Sequence, residues 1–163
     1  DIDEYRLRDL VADGAPIDGY GVGTRMDTSA DAPYLDCAYK LMEYAGRPRR
    51  KRSEGKLTWP GRKQVWRELD ADGRLVRDTV TREDEAAPGE PQVVHAMERG
   101  ERTTPAPTLK ESRAFCMDQL GRLPEPLQGL EPGDYPVALS EGLAELADQV
   151  DRRIDDYLAA TRD

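Results

Sequence analysis

An α/β fold, of the α+β kind along this chain, is predicted by three observations. A helical pattern behind Asp3 hands over, through a Gly/Pro stop, to a short apolar run that ends in a glycine turn. Alternating apolar and polar residues recur through the middle of the chain around an Asp-Gly turn. From Thr108 onward the apolar spacing shifts from that of a strand to that of a helix.

Taken in order, Asp1 or Asp3 can cap a first helix in which Leu7, Leu10 and Val11 share a face, and Gly14 and Pro16 supply its stop. The run "IDGYGVGT", Ile17 to Thr24, follows at once and reads as a strand entering a turn. Helix, loop, strand and glycine turn make the tail of a βαβ-type unit, in which ligands gather beyond the carboxyl ends of parallel strands. Gly21 and Gly23 have no side chains to keep a phosphate from the backbone N–H groups, and Thr24 adds a hydroxyl. The residues alone leave two readings open, an ordinary turn and an anion-binding concavity. The chain opens on Asp1 without the strand that should precede this helix and without an initiator methionine, so a fragment, a processed chain or the remainder of something longer is expected.

Residues 38–44, "AYKLMEY", alternate as a strand, with "AGRP" as its turn. "KQVWREL" and "RLVRDTVTR" flank "DADG" and predict a hairpin. A short strand is expected in "PQVVHAMERGERT", after a Pro/Gly-containing acidic loop. Thr108 and Glu111 form a capping box that opens a helix running through Phe115 and Leu120 to Gly121. The stretch "RLPEPLQGLEPGDYP" reads as an extended connector. Ser140 then caps a final helix whose Leu143, Ala147, Val150 and Ile154 make one apolar stripe.

With 163 residues, 37% hydrophobic and 35% charged, the chain has room for one modest core and long solvated edges. A net charge of −9 argues against general affinity for nucleic acid or an anionic membrane. The charge is unevenly placed: between Arg47 and Arg67 nine basic residues face the single acid Glu54. Such an island is either a docking surface for an anion or a face that neutralises acids elsewhere, and the intramolecular use is the commoner of the two. Cys37 and Cys116 are too few and too distant for a disulfide framework or a zinc site. No apolar stretch approaches spanning length and no signal-peptide pattern opens the chain, so a cytoplasmic setting is expected.

The segments "DIDEYRL", "LVADGAPIDGYGVGT", "YKLMEYAGRPRRKRSEGK", "WPGRKQVWR" and "YPVALSEGL", in this order, resemble the C-terminal part of bacterial nicotinate phosphoribosyltransferases. The resemblance covers most of the chain and is strongest from Asp1 to Arg67. It implies a type II phosphoribosyltransferase, with an irregular α/β barrel, an additional domain and a homodimeric active form. It also implies the reaction of nicotinate with 5-phosphoribosyl-1-pyrophosphate to give nicotinate mononucleotide and pyrophosphate, with Mg²⁺ and coupled to ATP hydrolysis, in NAD salvage. On this basis residues 1–36 would close the barrel and carry the phosphate loop, 37–107 would form a β-rich subdomain with a basic arm, and 108–163 a helical end.

Within that frame Asp1 would bond ribose hydroxyls, and Gly21, Val22, Gly23 and Thr24 would hold the 5′-phosphate. A barrel builds its phosphate site from its last strand–loop units, so the residues and the resemblance agree there. Arg49, Arg50 and Arg52 are expected to contact either a phosphorylated substrate or another part of the assembly. No residue of this chain is expected to be catalytic: His95 lies outside every matching motif, and the remaining machinery belongs to a barrel that this chain would have to join. "LDCAYKL" at 35–41 departs from relatives that read "LGGVYKL", which puts a glycine-dependent backbone approach there in doubt. A noncatalytic accessory subunit docking on a partner chain is the alternative.

Overall fold

The computed structural model describes residues 2–28, 34 and 38–161, the side chain of Met26 excepted. Asp1, Asp36 and Cys37 therefore lie outside the described residues. Two compact units are present, one of Asp1–Tyr39 with Gly129–Pro132, the other of Lys40–Gln128 with Gly133–Asp163.

In the first unit, helix α1 (Glu4–Ala12) begins where Asp3 accepts a hydrogen bond from the Arg6 N–H at 2.8 Å, and Glu4 adds an acid to its first turn. The helix stops as expected. Gly14 takes the left-handed conformation, its N–H reaches the Val11 carbonyl and the Ala15 N–H reaches that of Leu10, a Schellman ending. The strand expected over Ile17–Tyr20 is not formed: these residues are bends and loop. A strand exists only through ladder bonds to a neighbour, and none of the described residues pairs with this run. One helical turn follows, α2 (Thr24–Asp27), with Gly23 at its N-cap.

The second unit opens with a tight hairpin, β1 (Glu43–Tyr44) and β2 (Arg47–Pro48), joined by Ala45 and Gly46 at φ of +50° and +68°. Two successive positive φ values define the turn that matches the strand twist. The strand expected over 38–44 is thus reduced to its last two residues. Upstream of it the Met42 carbonyl accepts from the N–H groups of Arg49 and Gly61, tying the start of the basic segment to its end.

Strands β3 (Lys63–Leu69) and β4 (Leu75–Arg82) form the expected antiparallel hairpin. Its loop is held by Asp70, whose carboxylate accepts from the N–H groups of Asp72 and Arg74, both at 2.9 Å. Strand β5 (Glu90–Pro91) pairs with the free edge of β3. Gly89 has φ of +106°, and a Cβ there would stand 2.3 Å from the Arg67 carbonyl oxygen, so only glycine allows this approach. The rest of the strand expected near residue 97 folds as a small separate hairpin, β6 (Met97–Glu98) and β7 (Glu101–Arg102).

Helix α3 (Leu109–Gly121) carries the capping box, with Thr108 N–H donating to Glu111 and the Glu111 N–H to the Thr108 hydroxyl. The connector contains a 3₁₀ turn (Glu125–Leu127) and then a strand that the sequence reading omits, β8 (Val137–Leu139), parallel to β4. The sheet order is β5-β3-β4-β8. Ser140 caps α4 (Glu141–Ala160), whose stripe seals the core: Leu143 is 0% exposed, Ala147 and Val150 2%. The indole N–H of Trp66 donates to the buried Thr81 hydroxyl, which itself donates to the Arg82 and Glu85 carbonyls. Buried polar groups here are satisfied within the sheet and its loop.

Candidate phosphate-binding turn and basic segment

In the glycine turn Gly21, Gly23 and Thr24 are exposed and Val22 is half-buried. Neither glycine is left-handed, and a Cβ at Gly21 or Gly23 would meet nothing within 4 Å. Among the described residues, then, neither a left-handed backbone nor a steric clash requires glycine at these two positions. The Thr24 carbonyl is taken by the N–H and hydroxyl of Thr28, at 2.9 and 2.7 Å.

The basic segment is organised quite differently. Arg50 is only 8% exposed, and its Nη1 lies 3.0 Å from Asp151 of α4. Its guanidinium also stands 5.7 Å from the centre of the Trp59 ring. Arg52 meets Asp155, one turn further along α4, at 2.7 Å, and its Nη1 donates to the Asp151 carbonyl. That contact raises the Arg52 guanidinium further above its ordinary range and lowers the Asp155 carboxyl. In the reverse direction Arg153 of α4 donates to the Pro48 carbonyl. Lys63 donates to the carbonyls of Trp59 and Gly61 at 2.8 and 2.6 Å, and burial holds its ammonium below the usual lysine range against the opposing pull of Glu43. Arg62 reaches Glu43 at 3.2 Å.

Much of the island therefore neutralises acids of its own chain, as the commoner intramolecular use predicts. Asp151 and Asp155 stand four apart, so they share one helical face. That spacing was available in the sequence as a signal for their partners. Arg47 and Arg49, like Lys51 and Lys56, are exposed, and none of these four side chains has a partner among the described residues.

A second polar cluster had no motif to announce it. Arg67 clasps Asp78 through two bonds of 2.9 and 2.7 Å, and the Tyr135 hydroxyl donates to the same carboxylate at 2.9 Å. The Arg67 hydrogen bonds hold Asp78 below the usual carboxylate range. Burial, and then Asp78 itself, push the Tyr135 phenol up to about 12. With Phe115, Leu120, Leu123 and Leu127 they border a cavity of about 470 Å³.

His95 is exposed, and its carbonyl accepts from the Thr103 hydroxyl. Cys116 is an exposed free thiol. Among the described residues no group of three or more His, Cys, Asp or Glu side chains could hold a metal ion, and no helix is long and apolar enough to cross a membrane.

Residues 89–147 match the family model described as the nicotinate phosphoribosyltransferase C-terminal domain. The chain is 45% identical over 143 residues to nicotinate phosphoribosyltransferase pncB2 of Mycobacterium tuberculosis, covering 86% of this chain and 31% of that protein. It is 35% identical over 178 residues to the nicotinate phosphoribosyltransferase of Bos taurus, covering 93% of this chain and 33% of the relative. The crystal structure of human nicotinic acid phosphoribosyltransferase superposes with a TM-score of 0.57 at 29% identity, over 69% of this chain and 26% of the human one. The chain thus spans about a third of the length of the curated relatives it matches. By order of motifs, sequence identity and the fold of its α/β elements, the chain belongs to the nicotinate phosphoribosyltransferase family and corresponds to its C-terminal portion.

Proposed function

We propose that this chain supplies part of the ribose-5-phosphate site of a nicotinate phosphoribosyltransferase acting in NAD salvage. In that reaction the pyridine nitrogen of nicotinate bonds to the anomeric carbon of 5-phosphoribosyl-1-pyrophosphate, the bond from that carbon to the pyrophosphate oxygen breaks, and pyrophosphate leaves with the electron pair. The observation that carries the reading is the exposed glycine turn, in which a Cβ at Gly21 or Gly23 would meet no described residue within 4 Å. Backbone N–H groups there and the Thr24 hydroxyl would hold the 5′-phosphate, and Asp1 the ribose hydroxyls. An anchored phosphate fixes the sugar while positive charge develops at its anomeric carbon, so the contribution of this chain is positioning rather than proton transfer.

The finer features belong to the same proposal. The turn would complete the end of an irregular α/β barrel, with the remainder of that barrel supplying the catalytic groups, in a cytoplasmic homodimer. Mg²⁺ and ATP would serve the complete enzyme. Among the described residues no group of three or more His, Cys, Asp or Glu side chains could hold the ion. Arg50 and Arg52 would act in that enzyme chiefly by fixing α4, to which both are paired, and Arg49 would be left for a phosphate or subunit contact. By itself the 163-residue chain would transfer no phosphoribosyl group, because it holds only part of one substrate site.

The test compares nicotinate mononucleotide affinity and melting temperature for Gly23→Val and the parent protein. A local phosphate site predicts weaker binding at unchanged stability. Unchanged affinity in folded protein would remove the site from this turn. Product formed from nicotinate and 5-phosphoribosyl-1-pyrophosphate by the chain alone would overturn the division of labour.

A further inference from the structure

Beside the internal pairs of the basic segment lies a cavity of about 430 Å³, bounded by Arg47, Arg49, Arg50 and Arg153 over a floor of Val150, Ile154 and Tyr157. No acidic residue is among those that line it, in a chain whose net charge is −9. Of its four guanidinium groups only Arg50 is neutralised, by Asp151 at 3.0 Å. Arg153 is held in place by the neutral Pro48 carbonyl, which leaves its charge uncompensated. Arg47 and Arg49 have no side-chain partner among the described residues.

Arg50 is the most enclosed of the arginines with an ion pair among the described residues. Its side chain is 8% exposed, yet its Nε is buried without a hydrogen-bond partner, and so is Oδ1 of the paired Asp151. Positive charges gathered around a cavity also repel one another, a cost that an anion removes. One carboxylate carries a single charge against three uncompensated guanidinium groups, whereas a phosphate monoester carries nearly two and offers three oxygens to planar forks. The floor is of another nature: Val150 is buried, Ile154 half-buried, and Tyr157 presents a ring that is 68% exposed. An exposed aromatic face beside a cationic cluster suits a planar group attached to the phosphate. The volume lies in the range that holds a small ligand.

We propose that this cavity binds a free phosphate monoester with a planar body, of the mononucleotide class, with Arg47, Arg49 and Arg153 on the phosphate and Tyr157 against the planar group. The site shares no residue with the glycine turn, and it stands or falls apart from the phosphoribosyl reading.

Isothermal titration of the protein with adenosine monophosphate, inorganic phosphate, adenosine and a single-stranded oligonucleotide tests it. Adenosine monophosphate is expected to bind and adenosine not to compete. Arg47→Ala and Arg49→Ala should each weaken adenosine monophosphate about tenfold or more at an unchanged melting temperature, since neither side chain has an internal partner to lose. Tyr157→Ala should weaken adenosine monophosphate and leave inorganic phosphate unaffected. Gly23→Val should leave this binding intact. The proposal is overturned by no binding at millimolar ligand, by binding indifferent to both arginine variants, or by loss of binding in Gly23→Val. Preference for the oligonucleotide with a steep salt dependence would replace it with a nucleic-acid face. Equal losses for both phosphate ligands in Tyr157→Ala, or none for either, would overturn the planar-group assignment.

Discussion

The glycine turn at 21–24 and the basic segment at 47–63 both carry chemistry suited to anions, and they differ in what their polar groups already touch. The turn is exposed: no described residue would lie within 4 Å of a Cβ at either glycine, and Thr24 is exposed. The segment is anchored, with Arg50 and Arg52 on acids of α4, Arg153 reaching back to Pro48, and Lys63 on two carbonyls. Residue type alone therefore does not separate a binding surface from a structural one; the partners do. An arginine satisfied inside the chain stabilises the fold, and one left open is available to a ligand.

Four changes would break or sharpen that contrast. The largest effect on folding is expected at the anchor: Asp151→Ala leaves the Arg50 guanidinium buried and uncompensated, and should destabilise the protein by about 1.5–3 kcal/mol, read from denaturant unfolding. Affinity at the glycine turn should not change in that variant. Gly23→Val should do the converse, weakening nicotinate mononucleotide roughly tenfold or more through the loss of one charge-assisted bond while the unfolding midpoint stays put. Should both variants lower stability alike, the turn is as structural as the segment and the contrast collapses.

Thr24→Ala should weaken the same ligand less than Gly23→Val, because it removes one hydroxyl and leaves the backbone donors; equilibrium binding ranks the two. The smallest effect concerns pH. Asp78 sits below its ordinary value of 3.8, so its contribution is complete above that value and fades as pH falls through the lower folded value. Tyr135 rises from 10.0 to about 12, so its contribution is complete below pH 10 and fades as pH climbs toward 12. Stability measured across pH should therefore lose support at both ends, and Tyr135→Phe should remove the alkaline part and reduce the acid part, because the Tyr135 hydroxyl also helps to lower Asp78.

Legibility followed sequence separation. The capping box joins residues three apart, the Asp70 loop closes within four, and the α4 stripe repeats along one helix, so short-range geometry specifies each. The glycine turn was legible as a motif because its residues are adjacent in the chain. The run at 17–20 was apolar enough for a strand, but pairing is decided by neighbours, and no described strand lies beside it. β8 was missed for the same reason: three residues cannot show a period, and Val137 pairs with Asp78, far back in the chain.

The sequence by itself determined the family, the α+β character and the helix starts at Asp3, Thr108 and Ser140, because motif order, caps and turn chemistry act over a few residues. Only the tertiary structure decided what the arginines do. Arg50 meets an acid 101 residues away, and Arg47, Arg49 and Arg153 border one cavity although α4 lies at the other end of the chain. Such contacts depend on how chain segments are brought together in folding, and local spacing carries no record of which distant side chain will stand opposite.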